Sequence, residues 1–84
     1  MTQIRNSHRQ AIQTKYHGPS NVRGARVSAT CQAGRIIKSW DHSLNVSDNH
    51  DAAVSTLLAK LKWEGEWIGA GVASSGYCYV DATP

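Results

Sequence analysis

Only one stretch of this chain repeats its apolar residues at helical spacing. In "SDNHDAAVSTLLAKLKW", Val54, Leu57, Leu58 and Leu61 fall at i, i+3, i+4 and i+7 and make a core-facing stripe. Ser47 or Asp48 is the expected N-cap. Asp51 lies near the positive end of the helix and Lys60 and Lys62 near the negative end, with Gly65 as the closing C′ residue. The other segments with a period repeat every second residue. "AIQTKY" sets Ile12, Thr14 and Tyr16 against Gln13 and Lys15, and "ARVSATCQ" sets Ala25, Val27, Ala29 and Cys31 against Arg26, Ser28, Thr30 and Gln32. "RIIKSWDH" returns after a tight turn expected at Ala33-Gly34. A two-residue loop there puts Val27 opposite Trp40 and Arg26 opposite Asp41. "EWIGAGV" and "YCYVD" form a second hairpin around "ASSG", with Gly69 and Gly71 on the face of Trp67.

The expected fold is therefore α+β: an antiparallel sheet in the order β-β-β-α-β-β with one amphipathic helix on one face. Residues 1–9 read as a flexible arm and 10–82 as a single domain. One helix cannot cover both faces of five strands. The other face meets solvent, a partner or a second copy of the chain.

Charge is unevenly spread. Residues 1–38 carry seven Lys and Arg and no acid; residues 39–84 carry Lys60 and Lys62 against six acids. The net +3 hides this asymmetry, which points to a basic contact surface unless the two parts interleave in three dimensions. At 84 residues the core is thin, so a binding module suits the length better than an enzyme with a deep pocket. No apolar run approaches the roughly 20 residues of a membrane span, and "MTQIRNSHRQ" has no hydrophobic signal region. A protein kept in a reducing cytoplasm, with no membrane partner, is the expectation. Cys31 and Cys78 are then expected to be free, buried thiols.

Catalytic and cofactor motifs are weak throughout. His8, His17, His42 and His50 with the two cysteines match no zinc spacing, so no metal is expected. Neither cysteine has an activating neighbour in sequence, Ser74 and Ser75 lack a nucleophile elbow, and "GEWIGAG" lacks a phosphate-binding pattern, so neither an enzyme nor a cofactor is expected.

Two binding candidates remain. "YHGPSNVRGAR" places Asn21, Arg23 and Arg26 in a turn whose guanidinium forks suit phosphates or carboxylates, with Lys15 and Arg35 adding field nearby. The alternative is a solvated turn whose Asn21 bonds its own backbone. The aromatics of the last hairpin, Trp67, Tyr77 and Tyr79, are candidates for an exposed set that would stack bases if they shared the basic face; the alternative is core plus rim, since either Tyr77 and Tyr79 or Cys78 and Val80 must face away from the core.

"YHGPSNVRGARVSATC" resembles a segment, Y-x-G-P-[ST]-N-x-R-G-[SA]-R, of short proteins of phages and integrative elements. The resemblance continues through "NHDAAVSTLLAKLKW" and the Gly-rich strand after it, over most of residues 11–80. Such small phage proteins include many anti-CRISPR inhibitors. The resemblance thus implies a non-enzymatic inhibitor that binds a bacterial CRISPR effector complex and blocks its recruitment to target DNA. One feature departs from that group: DNA-mimicking inhibitors are acidic, whereas this chain has a pI of about 9.1. A basic inhibitor would grip an acidic surface or the nucleic-acid path. The alternatives are a small nucleic-acid-binding protein of a mobile element and a homodimeric adaptor.

Overall fold

In the computed structural model, which describes residues 9–20, 24–72 and 76–82, five strands and one helix follow the expected order. The strands are β1 (Ile12–His17), β2 (Arg26–Cys31), β3 (Gly34–Ser39), β4 (Trp67–Val72) and β5 (Gly76–Asp81), and α1 is Val46–Leu61. They form one antiparallel sheet in the order β3-β2-β1-β5-β4. The first strand is thus the middle of the sheet, with a hairpin on each side.

α1 lies across β1, β2 and β3. Ile12, Val27, Ala29, Ala53, Val54, Leu57 and Tyr79 make the buried core, and Ile36, Trp40, Leu58 and Leu61 pack against it. Helical spacing places Ala53, Val54 and Leu57 on one side, while two-residue alternation turns Ile12, Val27 and Ala29 toward them. Burying apolar surface between these two periods holds the layers together.

The helix ends differ from the expected caps. Asn45, not Ser47 or Asp48, is the N-cap: its side chain accepts from Asp48 N at 2.8 Å. A cap must sit one residue before the helical backbone, and the helix already begins at Val46. At the other end Lys62 takes the left-handed conformation (φ 58°), and its N–H reaches back to Ala59 O, three residues before Gly65.

The β2–β3 register also differs. The turn is Gln32-Ala33, and it pairs Ala29 with Ile36, Val27 with Lys38 and Arg26 with Ser39. The expected Arg26–Asp41 pair does not form. Gln10 steadies this turn by accepting from Ala33 N at 3.1 Å. The shift is two residues, so every side chain keeps its expected face.

Buried Asn49 ties the loop before α1 to the helix. Its amide nitrogen donates to the carbonyls of Asp41, Leu44 and Asn45, and its oxygen accepts from Asp41 N. Among the described residues no helix is long and apolar enough to cross a membrane.

Candidate polyanion-binding face

The face of the sheet opposite α1 is built by the second parity of every strand. Cross-strand pairs share a face, so the registers place Gln13, Lys15 and His17 of β1 beside Arg26, Ser28 and Thr30 of β2. Arg35, Ile37 and Ser39 of β3 follow on the same face. On the far side of β1 the same face continues as Cys78 and Val80 of β5 and Ile68, Ala70 and Val72 of β4. No strand residue on this face is acidic. The basic part of the sequence therefore does not interleave with the acidic part here; Asp48 and Asp51 lie on the helix, and Asp81 pairs with Trp67 on the other side of the sheet.

Lys15, His17 and Arg35 surround a shallow depression of about 310 Å³, completed by Gln13, Ser28 and Thr30. Hydroxyls and an amide thus stand among the cations. His17 Nε2 and Ser28 Oγ are 2.9 Å apart and share a hydrogen bond. Partial burial pushes the His17 pKa below its ordinary value, and the charges of Arg26, Lys15 and Arg35 push it further the same way. The field that disfavours a proton on His17 is the field that attracts an anion. Among the described residues, no carboxylate forms an ion pair with Lys15, Arg26 or Arg35. Arg26 Nε is buried without a hydrogen-bond partner among the described residues.

Of the sequence candidates, Lys15, Arg26 and Arg35 come together on this face. Asn21 and Arg23 lie outside the described residues. Trp67, Tyr77 and Tyr79 stand on the opposite side of the sheet, toward the helix. Tyr79, a candidate for the exposed set, is core: it stands opposite Ile12 in the β1–β5 register, and its hydroxyl donates to Asp51 Oδ1. Burial, then that hydrogen bond, pushes its pKa far above the ordinary phenol value. Stacking of bases on these three rings at the basic face is ruled out by the parity that buries Tyr79. Trp67 is half-buried and stacks parallel to Trp63, with centroids 6.1 Å apart. Arg9 lies over Trp63 at 5.1 Å and approaches Asp81 at 3.7 Å, so the last residue of the expected arm is held against the fold.

The cysteines are free and half-buried rather than fully buried. Cys31 packs on the core at the end of β2, whereas Cys78 faces outward between Gln13 and Ala70. His17 was missed as a site residue because "HGPSN" reads as a strand stop. Its parity with Gln13 and Lys15 was the available signal.

The described residues contain no His/Cys/Asp/Glu cluster that could hold a metal. No family model, curated protein or solved structure matches the chain. The site itself therefore carries the functional reading.

Proposed function

We propose that the chain is a binding protein whose open sheet face engages the phosphate backbone of a nucleic acid. The observation that carries this reading is a sheet face with Lys15, His17, Arg26 and Arg35 and no acidic strand residue. A flat array of cations interspersed with hydroxyl and amide groups suits repeated phosphates, because each contact is gained by releasing condensed counterions. Such contacts position a nucleic acid without reading its sequence.

The second reading is the phage-encoded inhibitor implied by "YHGPSNVRGARVSATC". The same basic face would then meet the nucleic-acid path or an acidic surface of a bacterial CRISPR surveillance complex and block its recruitment to DNA. Direct titration of mixed-sequence DNA and RNA at two salt concentrations separates the two. A nucleic-acid binder loses affinity steeply as salt rises. A protein-directed inhibitor shows little binding at either salt, and instead co-elutes with a purified surveillance complex and prevents it from binding target DNA.

A further inference from the structure

At one end of the sheet, on the helix side, four rings form a continuous run. Tyr16 meets Trp40 edge-on at 4.8 Å, Trp40 meets His50 edge-on at 5.8 Å, and His50 meets Tyr77 at 4.5 Å. They line a cleft of about 630 Å³ that opens between α1 and the β4–β5 hairpin. His50 is the fixed inner wall: it is buried, and its Nδ1 shares a 2.6 Å hydrogen bond with Thr14 Oγ1. Thr14 Oγ1 in turn accepts from Tyr77 N at 3.2 Å, so the wall and the last hairpin are tied together. Tyr16 is the outer ring, 38% exposed.

The glycines of β4 give a second observation. Gly69 and Gly71 face the same side. A Cβ on Gly69 would run into the Tyr79 ring, so packing requires glycine there. A Cβ on Gly71 would meet nothing within 4 Å among the described residues, and Gly71 borders the cleft. Its backbone does not require glycine either, since among the described glycines only Gly65 has positive φ. Gly71 thus leaves open space on the cleft side of β4.

The rim supplies charge. Trp40 and His42 line this cleft and also a neighbouring hollow of about 590 Å³ that contains Arg26 and Lys38. Arg26 belongs to the basic sheet face, where it pairs with His17. The aromatic cleft and the phosphate-binding face thus meet around the end of the sheet through Arg26. A planar ring flanked by a phosphate is the ligand that matches aromatic walls beside a basic rim.

We infer that the cleft takes an unpaired base of a single-stranded nucleic acid whose backbone lies along the basic face. This rests on the proposed phosphate-binding role and adds a preference for single strands over duplex. A paired base has its faces covered by stacking and cannot enter. Base–aromatic stacking is sequence-tolerant and is worth a loss of about tenfold or more in affinity when a ring is removed.

The test uses fluorescence anisotropy with labelled oligo(dT) and a duplex of the same length, on the full chain and three variants. Tyr16→Leu keeps an apolar side chain at the outer wall but removes the ring. Gly71→Leu projects an apolar side chain into the cleft from a position where its Cβ has room. Lys15→Ala combined with Arg35→Ala weakens the basic face. The wild type should prefer the single strand. Tyr16→Leu and Gly71→Leu should each lower single-strand affinity about tenfold and leave duplex affinity within about twofold. The Lys15/Arg35 variant should weaken both probes alike. If wild type binds both probes equally and neither cleft variant changes anything, the base site is wrong while the basic face stands. If the chain binds neither probe, both fall. If thymidine monophosphate binds with the same Tyr16 dependence but oligo(dT) does not, the cleft is a free-nucleotide site and the strand assignment is overturned.

Discussion

Two hairpins flank the same central strand, and they differ on both faces. The β2–β3 hairpin lies under α1 and buries Val27 and Ala29, while its outer side carries Arg26, Ser28, Thr30 and Arg35. The β4–β5 hairpin lies largely beyond the helix. Its inner side is filled by Tyr79 over Gly69 and by Trp67 on Trp63, and its outer side is Ile68, Ala70, Val72, Cys78 and Val80 without a charge. Ile68 is 61% exposed and Val72 41%. The first hairpin thus buries Val27 and Ala29 and sets a single exposed apolar residue, Ile37, among Arg26 and Arg35 on its outer side; the second leaves a whole row of apolar residues on the surface. The difference teaches that the helix-covered core and the basic face both belong largely to β1 and the N-terminal hairpin, where helix and charge lie on opposite sides of the same strands.

The largest expected effect separates the hairpins by stability. Leu57→Ala, beneath the covered half, should cost about 2–5 kcal/mol, through lost burial and an unfilled cavity. Ile68→Ala, on the exposed side, should change stability by about 0.5 kcal/mol or less, as an ordinary surface substitution does. Chemical denaturation of the two variants checks this, and equal losses would erase the distinction. Gly69→Ala comes next. The added methyl would run into the Tyr79 ring, and such overpacking typically costs about 1–3 kcal/mol. Gly71→Ala on the same strand should be nearly silent in the same melts, because its Cβ enters open space.

A smaller effect sets the two faces of the first half against each other through pH. Burial lowers the pKa of His50, and burial with nearby cations lowers that of His17. The unfolded chain therefore binds protons near pH 6.5 that the folded chain refuses, so stability should be full above that pH and fall as pH drops below it. Thermal melts between pH 8 and pH 5.5 measure the sum. His50→Gln should flatten much of the slope, since His50 is the fully buried one. Polyanion binding should show the opposite trend. A phosphate beside His17 offsets the charges that repel its proton, so affinity should rise as pH falls toward 6. A pH-independent affinity would place the phosphate away from His17.

Much of this arrangement was legible in the sequence, for identifiable reasons. Strict alternation in "ARVSATCQ" placed Val27, Ala29 and Cys31 on one side and Arg26, Ser28 and Thr30 on the other. That survived a register error of two residues because parity is unchanged by an even shift. The helix stripe was equally plain, although its true buried side extends to Asn49, His50 and Ala53. Polar Asn49 and His50 hide in a hydropathy pattern and are buried because Asn49 caps loop carbonyls and His50 bonds Thr14. The charge split was visible as a run of cations. Its concentration on one face depended on the β1–β2 and β2–β3 registers, which set Lys15 and His17 beside Arg26 and Arg35 and which no run of charge encodes. The last hairpin misled most: Tyr77 and Tyr79 were free to point either way by alternation. The choice was made by Ile12 and Thr14, their partners on β1.

The most direct test of the central claim compares the two halves of the open face in one titration. Affinity for mixed-sequence duplex DNA is measured across a salt series for the wild type, for Lys15→Ala with Arg35→Ala, and for Ile68→Ser with Val72→Ser. The cationic double variant should bind more weakly and lose about two from the slope of log affinity against log salt, one for each phosphate contact removed. The apolar double variant should match the wild type in both affinity and slope. An unchanged slope in a folded Lys15/Arg35 variant, or a loss confined to the Ile68/Val72 variant, would contradict the assignment of polyanion binding to the basic half.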